Sequence, residues 1–197
     1  MTASQRERPD VVARRSAFME QQRTMDAERL IFVDESGMVR GTRLGYGYAL
    51  RSKRCVESAP FRMGKRTNLL GWIGLRGGIV APLTGSVTAG VFTRFVEHVL
   101  VPHLGEGDVV VWDNARIHAK AAVALIESVG ARVVWQPPYS PDLNAIEPFW
   151  SKVKHLVGKA RADTAEAFEQ ARRAAIASVT HSDVAGWMRH CGYAPPS

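Results

Sequence analysis

Apolar residues in this chain fall into two patterns, short unbroken runs and longer periodic stripes, and their alternation specifies an α/β domain. Leu30, Ile31, Phe32 and Val33 form a run that ends in Asp34-Glu35-Ser36, so residues 30–36 read as the first strand. Residues 67–75 and 78–83 read as two more, joined at Arg76-Gly77-Gly78, which predicts an antiparallel meander. After Thr88, a good N-cap, Val91, Phe92, Phe95, Val96, Val99 and Leu100 recur at helical spacing. Val109-Val110-Val111-Trp112 is again unbroken and ends in Asp113-Asn114-Ala115-Arg116-Ile117-His118. This is the pattern of a buried strand whose carboxyl end releases polar groups into a cleft. A helix over Ala121, Ala122, Leu125, Ile126 and Val129 is stopped by Gly130, and residues 132–135 form a short fifth strand.

The last third reads as helical. Ile146, Phe149, Trp150, Val153 and Val157 make one stripe; Phe168, Ala171, Ala175 and Val179 make another, and Val184, Trp187 and Met188 a third, with Thr164 and Ser182 as caps. Residues 1–29 are polar and charged, with a helix start at Pro9-Asp10 and scattered apolar contacts at Val12, Phe18 and Met19. They read as an exposed helical arm or remnant linker at one edge of a domain over residues 30–193, with residues 194–197 as a frayed tail. Residues 41–54 place Gly41, Gly45 and Gly47 beside Tyr46 and Tyr48, and predict a glycine-rich hairpin carrying Arg40, Arg43, Arg51, Lys53 and Arg54.

Composition narrows the class. At 197 residues and 46% apolar content, the chain can build one enzyme-sized core. Lys and Arg outnumber Asp and Glu by 26 to 19, for a net charge of +7 and a pI near 9.8, which favours a polyanionic partner. Cys55 and Cys191 lie far apart in no metal-ligand spacing, so a reducing cytoplasm fits. No run approaches the roughly eighteen apolar residues of a membrane span.

Asp34, Asp113 and Glu147 carry the candidate chemistry. Phosphodiester cleavage needs an activated attacking oxygen and a stabilised leaving oxygen, and two hard divalent ions about 3.5–4 Å apart supply both when carboxylates hold them. Each acid also has a plainer reading. Asp34 suits a strand-end turn and has Glu35 beside it as a rival ligand; Asp113-Asn114 suits an Asx-type turn. Glu147 suits a capping box with Asn144, or is itself the cap if Pro148 takes the first helical position. Glu147, Ser151 and Lys154 share a polar face beside the apolar stripe, which places a lysine where a nucleic-acid strand would run on along the helix. His118 fits a metal ligand, a phosphate contact or a loop histidine. The basic residues of 41–54 suit either a nucleic-acid backbone or a solvated surface. Trp72, Trp112, Trp135, Trp150 and Trp187 read as core more than as a base-stacking platform.

At these residues the sequence resembles the catalytic domain of mariner-superfamily transposases, in particular the bacterial insertion sequence 630 family. The matching stretches are Val33-Asp34-Glu35-Ser36-Gly37, Val111-Trp112-Asp113-Asn114 with His118, and Pro137-Pro138-Tyr139-Ser140-Pro141-Asp142-Leu143-Asn144-Ala145-Ile146-Glu147. The resemblance implies a ribonuclease-H-like fold, with a mixed sheet of three antiparallel and two parallel strands flanked by helices. It implies that Asp34, Asp113 and Glu147 hold two Mg²⁺ ions, with Mn²⁺ able to substitute, supported by Asn114, His118, Tyr139 and Asn144. Arg43, Arg51, Lys53, Arg54 and Lys154 are the expected nucleic-acid contacts. The implied activity is hydrolysis and strand transfer at transposon ends by a homodimer in a synaptic complex with DNA, in the cytoplasm at the nucleoid. Two other readings stand beside it: a non-catalytic remnant that binds DNA or a transposase, and a structure-specific nuclease on the same fold. Ala145 departs from the family's usual proline, and the family's amino-terminal helix-turn-helix region is missing. End recognition is therefore expected on a separately encoded helix-turn-helix subunit, or lost.

Overall fold

The computed structural model describes residues 4–56, 58, 64–113 and 120–193. Among the described residues, five strands form one mixed sheet, as expected, in the order β3-β2-β1-β4-β5. β1 (Leu30–Val39) pairs antiparallel with β2 (Arg66–Gly74), which pairs antiparallel with β3 (Gly77–Leu83). β4 (Val109–Trp112) lies parallel to β1, and β5 (Arg132–Trp135) parallel to β4. β1 runs on past Ser36 to Val39 because β2 continues to pair with it as far as Arg66.

Strand alternation divides the core in two. Leu30, Phe32 and Met38 of β1, with Val109, Val111 and Val134, face a layer built by α4 (Ile146–Lys159), α5 (Ala165–Ala177) and α6 (His181–His190). Ile31 and Val33, with Val110 and Trp112, face α2 (Ala89–Phe95) and α3 (Lys120–Glu127). α2 continues into a wider turn at Val96–Leu100 and a tight one at Val101–His103, where Pro102 ends it. Gly130, at φ 77°, closes the turn into β5 in the left-handed region that favours glycine. Of the five tryptophans, Trp72, Trp112 and Trp150 are buried in these two cores and Trp187 packs partly buried against one of them, as the sequence indicates, whereas Trp135 is 41% exposed.

Three details correct the sequence reading. Residues 41–54 contain no strand: Tyr46, Tyr48 and Leu50 are all exposed, so no alternating buried face exists to pair against the sheet. The cap of α6 is Thr180, not Ser182; Thr180 and Asp183 satisfy each other's backbone N–H groups in a capping box. In α1 (Pro9–Gln22) the buried residues are Val11, Arg15, Phe18 and Gln22, while Val12 and Met19 face solvent. The arm is firmly seated. Phe18, Met25 and Ala27 join the core, and Gln22 donates to the Cys191 carbonyl at 2.6 Å.

Candidate active site

The three parallel strands end level with one another. Carrying their register past the paired residues brings Asp34, Asp113 and Gln136 side by side at the carboxyl edge of β1, β4 and β5, all on the α4 face. The Gln136 N–H still donates to the Trp112 carbonyl at 2.9 Å. α4 crosses this edge with Glu147 in its first turn. Asp34, Asp113, Gln136, Tyr139, Ser140, Asn144 and Glu147 thereby line one cavity of about 340 Å³. Glu35 follows Asp34 on β1, so alternation aims it at the opposite face, and it does not line this cavity.

The start of α4 resolves the competing roles of Glu147. The helix begins at Ile146, whose N–H donates to Asn144 Oδ1 at 3.3 Å. Pro148 is the third helical residue, inside the first turn, where a missing N–H leaves no intrahelical bond unmade. Glu147 is therefore neither the cap nor the return arm of a capping box. Ala145, where the resembling family has proline, is fully buried at φ −67°, the angle a proline ring would impose.

Trp150, one turn beyond Glu147, donates its indole N–H to Asp34 Oδ2 at 3.0 Å and fixes that carboxylate's rotation. In the sequence it reads only as a core tryptophan. Burial, then the charges of Glu147, Glu35 and Asp113, push Asp34 up from 3.8 to about 8, although a backbone hydrogen bond from Glu35 opposes them. Burial also raises Glu147; Lys154, farther along the same helix, pulls it down, and Asp113 pushes it up. Glu147, Ser151 and Lys154 are all exposed on α4, as their spacing predicts.

The loop 137–144 is held from two sides. Arg15 of α1, 7% exposed, donates to Ser140 Oγ at 2.6 Å and to both oxygens of Asp142 at 3.1 and 2.7 Å. Burial raises Asp142, but the hydrogen bonds and charge of Arg15, with Arg6 behind them, outweigh it and hold the carboxyl below its ordinary value. From the other side, Gln136 Nε2 and the Tyr193 hydroxyl both donate to the Leu143 carbonyl, at 2.9 Å each. Tyr139 sits between Pro138 and Ser140 at φ 55°, a conformation costly for a residue with a Cβ.

Asn114 and His118 lie outside the described residues. Tyr139 and Asn144 line the cavity together with the three acids. Of the expected nucleic-acid contacts, Lys154 lies farther along α4 from Glu147, within reach of its charge, whereas Arg43 is bound to Asp163 at 2.8 Å. Arg51, Lys53 and Arg54 are exposed in the loop after β1. Among the described residues, no three His, Cys, Asp or Glu side chains close around one point as a ready ion cage. The donor set nevertheless suits hard cations: three carboxylates line one cavity, and burial with their mutual repulsion holds Asp34 well above its ordinary value, a penalty that a bound divalent ion would relieve.

Residues 29–169 match the family described as DDE superfamily endonuclease. The chain belongs to this family. No curated protein matches the sequence. Among solved structures, the DDE endonuclease domain resembles a Mos1 transposase paired-end complex with left transposon end (TM-score 0.76, 17% identity, 98% of this chain and 62% of that one). It also resembles the catalytic domain of Mos1 mariner transposase (0.68, 16% identity, 98% and 90%), and a Mos1 mariner paired-end complex with Mn (0.70, 18% identity, 98% and 60%). At these identities the likeness is one of fold, and it places the sheet and its helices in the ribonuclease-H-like class. The chain spans 62% of the transposase in the first of these complexes. Among the described residues, no helix is long and apolar enough to cross a membrane.

Proposed function

We propose that this DDE endonuclease domain is the catalytic unit of a DNA transposase, hydrolysing a phosphodiester at a transposon end and then transferring the freed 3′-OH to target DNA. One observation carries the reading: Asp34, Asp113 and Glu147, from two parallel strands and a helix, line a single cavity at the carboxyl edge of the sheet. These residues would hold two divalent ions, Mg²⁺ with Mn²⁺ able to substitute, which when bound supply a polarised attacking oxygen and charge stabilisation for the leaving oxygen. The solved Mos1 paired-end complexes include one with Mn and one with Mg.

The chain's own residues have separate tasks. Trp150 keeps Asp34 from rotating out of the cavity, and Lys154 offers a phosphate a cationic contact farther along the α4 face that carries Glu147. Tyr139, Ser140 and Asn144 line the cavity beside the acids, with Asn114 and His118, which follow β4 in the sequence, as further supports. Arg51, Lys53 and Arg54 add backbone attraction, consistent with the +7 net charge. The active assembly is a homodimer on paired transposon ends.

The test is nicking and strand transfer on a duplex carrying the element's terminal repeat. Wild-type chain should cut in Mg²⁺ or Mn²⁺ and stop in EDTA, and Asp113→Asn should stay folded and cut at least ~100-fold more slowly. Cutting that survives EDTA or Asp113→Asn would sink the assignment. Cutting of branched DNA without strand transfer would identify a structure-specific nuclease, and DNA binding without cutting a non-catalytic remnant.

A further inference from the structure

We propose that Arg15, in the arm that precedes the matched family segment, is a positioning residue for phosphodiester cleavage. The inference rests on the reading of the cavity as a cleavage site. The family match begins at residue 29, yet a wall of the cavity is fastened by residue 15. Arg15 donates to Ser140 Oγ, and the Ser140 hydroxyl donates in turn to the Pro138 carbonyl at 3.0 Å. This relay spans Tyr139 and bridges the residues on either side of its left-handed backbone. The remaining Arg15 donors take both oxygens of Asp142, two residues farther along the loop.

Pro138, Tyr139, Ser140 and Pro141 all line the cavity that holds the three acids. The acids themselves are seated on β1, on the end of β4 and on α4, whereas the side-chain hydrogen bonds of Arg15 among the described residues go to Ser140 and Asp142 in the loop. Loss of Arg15 thus leaves the carboxylates in place and frees the wall opposite them, where Tyr139 can relax toward negative φ. A fork is required. A lysine keeps the charge but cannot reach Ser140 and both oxygens of Asp142 at once.

The experiment uses the full chain with Arg15→Ala, Arg15→Lys and Ser140→Ala, and Arg8→Ala as a control, since Arg8 bonds Asp10 on the same arm. Each is assayed at least 15 °C below its own melting temperature, for maximal nicking rate, KM for DNA, and Mn²⁺ affinity by titration calorimetry. Arg15→Ala should lose ~100-fold in maximal rate, the scale of a misplaced positioning group. Its KM and Mn²⁺ affinity should stay within about threefold, with Arg15→Lys and Ser140→Ala intermediate and Arg8→Ala at the wild-type rate.

A maximal rate unchanged in Arg15→Ala, with only the melting temperature lowered, would make Arg15 a staple of the fold and overturn the proposal while the cleavage reading stands. A parallel loss of Mn²⁺ affinity would overturn it too, by showing that the acids had moved. If Arg15→Ala does not fold, Ser140→Ala decides on the same criteria. A wild-type chain that binds Mn²⁺ and cuts nothing would end both readings together.

Discussion

Two loops of this domain start from similar material and finish differently. Residues 41–56 and residues 136–145 are both rich in glycine or proline and polar groups; the first carries expected nucleic-acid contacts and the second the expected supporting residues Tyr139 and Asn144. In the second, Gln136, Ser140 and Asn144 are 3%, 5% and 4% exposed, and each makes a hydrogen bond within the loop or to α1 or α4. In the first, Tyr48, Leu50 and Val56 are 95%, 76% and 83% exposed, and a tether is the Arg43 pair with Asp163. A loop becomes a site wall when its polar groups find fixed partners and its apolar ones find a core. Charge and aromatic content alone leave it on the surface.

Breaking the buried side of that contrast should have the larger effects. Asp34 is raised to about 8 in the folded, metal-free chain, so folding takes up a proton between its ordinary value of 3.8 and that point. Stability of the metal-free protein should fall as pH rises through this window, the folded carboxylate losing its proton only near the upper end. Asp34→Asn removes the penalty. It should melt at least ~4 °C higher than wild type at pH 9 in EDTA, with the gap closing toward pH 4, while its Mn²⁺ binding is lost. A mutant that melts lower at pH 9 would show that the carboxylate stabilises the fold.

Trp150→Phe keeps the aromatic filling and deletes the N–H that holds Asp34. We expect Mn²⁺ affinity about tenfold weaker, the lower end of what loss of an orienting partner costs. Calorimetry giving the wild-type constant would reduce Trp150 to core packing.

The exposed loop should respond least. Replacing Arg51, Lys53 and Arg54 by alanine should lower the slope of log DNA affinity against log salt by up to roughly one unit for each phosphate no longer neutralised, with no change in sequence preference. Arg43→Ala should change that slope less, since Asp163 already neutralises it. Equal effects would show that the ion pair opens when DNA binds.

The sequence made the strands and the acids readable for one reason. An unbroken apolar run marks a buried strand, and the polar residue ending it has to emerge at the sheet edge, which locates Asp34 and Asp113. Gln136 ends β5 in the same way, but an amide carries no signal of chemistry and passes unnoticed. Arg15 is harder still: its partners Ser140 and Asp142 lie more than 120 positions away, and one buried arginine in a charged arm has no periodicity to separate it from the rest. Trp150 satisfies its helical stripe so well that its second task, the bond to Asp34, is hidden. The false hairpin at 41–54 came from glycines and tyrosines that allow a strand without supplying a face to bury.

The holding of residues 137–144 from both sides has a consequence for synthesis on the ribosome. One side of the grip is Arg15, made before all three acids; the other includes Tyr193, whose hydroxyl holds the Leu143 carbonyl and whose ring packs edge-on against Phe32 at 5.0 Å. All three acids are translated well before Tyr193, so a nascent chain carries them for dozens of residues with the wall beside them only half fastened. The cavity closes after residue 193 leaves the exit tunnel, and a chain still being translated holds its acids without a finished place to cut.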